Sequence, residues 1–129
     1  MLFHVFASQQ ERRNYGGSAF VEIQFCRLPS GTGARKLVAT GSISHWQDDS
    51  LYVDDVDLFD REYGHIFGGG MYNDRISGRA DLLGINYYAP ALIDGIIEKI
   101  RRDRPVEYTV LENWLLRAKT YNGFYILGI

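Results

Sequence analysis

Residues 109–129 read TVLENWLLRAKTYNGFYILGI, and within this stretch the apolar period changes from that of a helix to that of a strand. Leu111, Trp114, Leu115 and Ala118 recur at spacings of three and four, which is the stripe of a core-facing helix. Thr109 and Glu112 match a capping box at its start, and Asn122-Gly123 marks its end. Phe124-Tyr125-Ile126-Leu127-Gly128-Ile129 then follows and is too apolar for a loose tail. It reads as a terminal strand inserted in a sheet, so the chain mixes helices and strands without simple alternation.

Moving upstream, Pro90 suits the first position of a helix, with Leu92, Ile93, Ile96, Ile97 and Ile100 forming its apolar stripe. That helix should stop before Pro105, with Lys99, Arg101 and Arg102 complementing the dipole in its last turn. Residues 71–88 are the least legible, with Asn73-Asp74 suggesting a turn and residues 80–88 a strand. The first half reads as strands. Residues 2–8 are rich in Phe and Val, and Gln9 to Gly17 is a polar connector. In residues 18–28, Ala19, Val21, Ile23 and Phe25 alternate with Glu22, Gln24 and Cys26. Pro29-Ser30-Gly31-Thr32-Gly33 is a turn cluster, and residues 36–46 resume with Leu37, Ala39, Gly41 and Ile43 on one face, which predicts an antiparallel hairpin. The expected architecture is a single α+β domain over residues 1–129. Its mainly antiparallel sheet carries two or three helices packed on one face and includes the C-terminal strand.

Charge is distributed unevenly. Asp48, Asp49, Asp54, Asp55, Asp57, Asp60 and Glu62 crowd residues 48–62 with only Arg61 between them, whereas the whole chain has a net charge of −2. Val56, Phe59, Tyr63, Ile66 and Phe67 fall in one helical arc with Asp54, Asp57, Arg61 and His65 opposite. The predicted helix ends at Gly68-Gly69-Gly70, and a strand over residues 51–59 is the alternative. The acids read either as a solvated helix face, favoured near a positive N-terminus, or as a docking surface for a basic partner. Calcium is disfavoured because no Asp-x-Asp-x-Asp-Gly loop is present.

Other chemistries find no motif. His4, His45 and His65 share no metal-ligand spacing, and neither a nucleophile elbow nor a phosphate loop is present, so no catalytic residue, metal or cofactor is expected. Cys26 is the only cysteine and reads as a small, inert, partly buried residue in a reducing compartment. Arg12-Arg13 and the basic residues of 99–104 read as a solvated loop and a helix end rather than a nucleic-acid surface. Tyr87, Tyr88 and Trp114 are weighed as partner contacts, with core packing preferred. No apolar run reaches the ~20 residues of a membrane span, and the first residues lack the form of a secretory signal. A cytoplasmic location is expected.

In size and charge pattern the chain resembles the immunity proteins that bacteria make against toxins of contact-dependent and polymorphic systems. The resemblance rests on His45-Trp46-Gln47-Asp48-Asp49 through Asp60-Arg61-Glu62-Tyr63 and on the ending at residues 123–129. It implies a non-enzymatic cytoplasmic protein that binds and blocks a cognate toxin domain. The acidic residues 48–62 would then meet a basic surface such as that of a nuclease. The competing reading is a small enzyme or ligand-binding protein whose pocket gathers scattered Tyr, His and Asp residues.

Overall fold

The computed structural model describes residues 1–16, 20–72, 75–76 and 78–128, with residues 75 and 76 described as backbone alone. The chain runs β1 (Phe3–His4), α1 (Gln9–Tyr15), β2 (Val21–Phe25), α2 (Ala34–Leu37), a 3-10 turn (Thr40–Ser42), β3 (Leu51–Val53) and α3 (Val56–Tyr63). It continues through β4 (Met71–Tyr72), β5 (Arg75–Ile76), β6 (Ile85–Tyr88), α4 (Pro90–Asp103), α5 (Tyr108–Ala118) and β7 (Phe124–Gly128). The described strands form one sheet in the order β1-β3-β2-β7-β6-β4-β5, with every neighbouring pair antiparallel.

The terminal strand lies inside that sheet. β7 pairs with β2 on one edge and β6 on the other, and Phe124, Ile126 and Leu127 are all buried, as their apolar run predicts. Each large side chain buried this way stabilises the fold by ~1.5–3 kcal/mol. Gly123 makes the tight entry into β7. Its φ is +83°, and a Cβ there would lie 2.1 Å from the Tyr88 carbonyl oxygen, so backbone replaces side chain at this crossing.

Strand alternation sorts the residues onto two faces. Val21, Ile23, Phe25, Leu51, Val53, Tyr88, Phe124 and Ile126 form one, and the three longer helices bury their stripes against it. α3 contributes Phe59 and Tyr63, α4 contributes Ile93, Ile96, Ile97 and Ile100, and α5 contributes Leu111, Trp114, Leu115 and Ala118. Phe25 stacks between Trp114 and Tyr121, at 4.1 and 4.4 Å between centroids. Tyr87 and Tyr88 are buried as well, which settles them and Trp114 as core residues.

Several local expectations are corrected. No hairpin joins residues 18–28 to 36–46. Both edges of β2 are already taken, by β3 and β7, and residues 34–42 instead coil into α2 and the 3-10 turn. These residues cross the second face of the sheet, where Leu37 joins Cys26, Tyr87, Tyr125 and Leu127 in a separate apolar cluster. The polar connector from Gln9 contains α1, which buries no residue and so leaves no apolar period to read. It is capped instead: Ser8 Oγ accepts from the Glu11 N–H at 3.1 Å, and the Glu11 carboxylate accepts from the Ala7 N–H at 3.2 Å. The expected strands at residues 2–8 and 80–88 shrink to β1 and β6.

The helix through the acidic stretch ends at Gly64 rather than at the three glycines. A turn follows that still delivers Ile66 and Phe67 to the core. The capping box at Thr109 does not form, because α5 starts two residues earlier, with Glu107 at its N-cap. Glu112 pairs with Arg101, and Glu107 accepts from the Leu2 and Phe3 N–H groups at the sheet edge. The Asn73-Asp74 turn lies outside the described residues, as does Ala19.

Candidate functional site

The seven acids of residues 48–62 do not share one helix face. β3 divides them: Asp48 and Asp49 precede it, whereas Asp54 and Asp55 leave its far end and Asp57, Asp60 and Glu62 follow on α3. Most also have structural work. Asp49 pairs with Arg27, while its backbone carbonyl accepts from Trp114 Nε1 at 2.9 Å. Asp54 meets His4 Nε2 at 3.1 Å. Asp55 is the N-cap of α3, accepting from the Leu58 N–H at 3.0 Å. Asp60 pairs with Arg79 at 2.7 Å, and Glu62 accepts from the Val106 N–H at 3.0 Å. Tyr63 donates to the Val106 carbonyl at 2.5 Å, so two neighbouring residues of α3 grip the connection between α4 and α5. Asp48 and Asp57 are exposed and make no hydrogen bond or ion pair among the described residues. Asp54 and Asp55 are exposed beside Asp57, so the entry to α3 presents three carboxylates within four residues.

A carboxylate outside that run is the most heavily engaged of all. Glu22 sits on β2, on the face away from the long helices, with its side chain 4% exposed. Its oxygens accept from the Trp46 N–H at 2.8 Å, the Gln47 N–H at 3.1 Å, Ser50 Oγ at 2.6 Å and Gln24 Nε2 at 2.9 Å. The Tyr52 hydroxyl adds a fifth contact at 3.5 Å. A buried carboxylate is tolerated only when donors surround it, and here the donors come largely from residues 46–50. Glu22 therefore clamps that loop to the sheet. Trp46 takes a left-handed backbone conformation, φ 69°, and its ring lies 4.0 Å below the Arg12 guanidinium of α1. Burial, with Glu22 beside it, pushes the Tyr52 phenol above its usual range.

The three histidines are separate, each beside its own carboxylate. His4 meets Asp54 inside an aromatic group with Phe6, Tyr15 and Phe20. His65 meets Asp103 at 2.8 Å, and this bond, with Arg102 after it, holds the Asp103 carboxyl below its ordinary range. His45 Nδ1 lies 3.8 Å from Glu22 Oε1. Cys26 is fully buried, with Sγ 3.6 Å from the Tyr125 hydroxyl and no histidine in hydrogen-bond reach among the described residues. No group of three or more His, Cys, Asp or Glu among the described residues is placed to hold a metal ion. No helix among them is long and apolar enough to cross a membrane.

Open clefts among the described residues include the following pair. One, of about 480 Å³, lies between Arg27, Leu28, Pro90, Tyr121 and Asn122, above Cys26. The other, of about 440 Å³, lies between Val38, Thr40, His45, Tyr72, Leu83 and Ile85. Sequence reading missed Glu22 and the second cleft. Alternation groups Glu22 with Gln24 and Cys26 on one face of the strand, and nothing in the local sequence marks that face as covered.

No protein-family model, curated protein or solved structure matches this chain.

Proposed function

We propose that this chain is a protein-binding protein of the immunity type, neutralising a basic toxin domain by docking on it through the acidic residues 48–62. One observation carries the reading: those residues hold seven acidic side chains against one basic, while the remainder of the chain holds thirteen basic against nine acidic. Exposed Asp48, Asp54, Asp55 and Asp57 supply carboxylates to a partner's Lys and Arg side chains, and Asp49, Asp60 and Glu62 add to the field around them. Such a field steers a cationic partner and suppresses wrong ones. The partner's basic groups would be those that otherwise hold its own anionic substrate, so occupying them blocks its activity. On this reading the chain is bacterial and cytoplasmic and performs no chemistry of its own.

Co-expression with the product of the reading frame beside its own tests the proposal. Rescue of growth from that product, together with a stable purified complex, supports it. A neighbour that is harmless alone, or whose toxicity this chain leaves unchanged, overturns it.

A further inference from the structure

The cleft beside His45 combines features that the acidic surface does not use. Apolar walls come from Val38, Leu83 and Ile85, and polar groups from Thr40, His45 and Tyr72. Its floor is backbone. The Gly128 N–H donates to the Gly84 carbonyl at 2.8 Å, and a Cβ on Gly84 would lie 2.3 Å from the Tyr72 ring. Glycine thus lets an aromatic ring lie directly on the strand end. Leu83 is 80% exposed at the rim, an apolar side chain with no cover of its own.

The polar side of the cleft is built from behind. Glu22 Oε2 accepts from Gln24, Gln47 and Ser50, whereas Oε1 accepts from Trp46 and lies 3.8 Å from His45 Nδ1. At 3.8 Å this is an electrostatic approach rather than a hydrogen bond, and a neutral imidazole at this wall offers one acceptor nitrogen to whatever occupies the cleft. No Lys or Arg lines the cleft among the described residues, and the Glu22 carboxylate lies behind His45, so an anion is disfavoured. A volume of about 440 Å³ is ample for one small ring system.

We propose that this cleft binds small uncharged aromatic molecules carrying one hydroxyl, the ring packing between Tyr72 and Leu83 and the hydroxyl donating to His45. The site is independent of the acidic surface and stands or falls apart from it.

Amide and side-chain NMR titrations of the full chain with p-cresol, toluene and benzoate test the assignment. p-Cresol should give saturable shifts at His45, Tyr72 and Leu83, with toluene about tenfold weaker for want of the hydrogen bond. Benzoate should be weaker still. His45→Phe should erase the preference for p-cresol over toluene, Leu83→Asp should weaken both, and His65→Phe should change neither. Shifts that rise linearly without saturation, equal binding of p-cresol and toluene, strongest binding of benzoate, or a preference surviving His45→Phe would each overturn the proposal.

Discussion

Glu22 shows how a single side chain can set the shape of a loop. Its carboxylate gathers two backbone N–H groups and the Ser50 hydroxyl from residues 46–50, and the loop holds Trp46 in a conformation that costs ~1–3 kcal/mol for a residue with a Cβ. Glu22→Ala leaves those donors buried without an acceptor and should destabilise the fold by about 3 kcal/mol in urea unfolding. A loss below about 1 kcal/mol would show that water replaces the clamp without penalty. Alternation put Glu22 on the correct face of the strand. Alternation does not reveal that residues 29–50 return across that face, because no local pattern announces such a return. Tyrosines give a second test at this scale. Burial raises Tyr52, Tyr63, Tyr88 and Tyr125 above the usual range and pushes Tyr87 up to about 12. Folding therefore favours the protonated phenols. Their contribution is complete below about pH 10 and is lost as pH climbs toward 12, each group costing up to about 1.4 kcal/mol per pH unit. Absorbance at 295 nm and circular dichroism should report ionisation of these five together with unfolding. Ionisation of all five within an intact fold would contradict their burial.

At the scale of elements, β7 is the keystone, since it joins the β1-β3-β2 strands to the β6-β4-β5 strands. Ile126→Ala, at a fully buried position between two partners, should cost about 2–5 kcal/mol. Gly123→Ala should also be severe, because it adds a Cβ in a left-handed turn against the Tyr88 carbonyl. Thermal unfolding measures both, and a near-native midpoint for either variant would remove β7 from this role. The elements legible in the sequence were those with long apolar stripes, namely α4, α5, much of α3 and β7. α1 buries nothing and α2 spans four residues, so neither leaves a period of its own. The hairpin expectation failed because residues 36–46 form no strand. The next strand after β2 is β3, and it does pair with β2, so the sequence-neighbour rule holds across a longer connection than the turn cluster suggested.

At the scale of the whole molecule, the central claim is that the charge asymmetry serves recognition. Helix capping and ion pairing account for Asp49, Asp54, Asp55, Asp60 and Glu62 locally. They leave Asp48 and Asp57 without a hydrogen bond or ion pair among the described residues, Asp57 contributing only through the dipole in the first turn of α3, and the sequence could not separate these two sets because the division depends on partners as distant as Arg27, Arg79 and Val106. Reversing Asp48 and Asp57 therefore alters the field with little risk to the fold. The decisive measurement is the association rate of purified chain with the protein encoded beside it, taken across a range of salt. The account predicts a rate that falls steeply with salt, because exposed charges are screened over ~8–10 Å at physiological ionic strength. Asp48→Lys/Asp57→Lys should slow association by about tenfold or more, while Lys36→Glu/Lys99→Glu leaves it unchanged or faster. A salt-independent rate, or equal slowing by both pairs, would contradict recognition through the acidic surface.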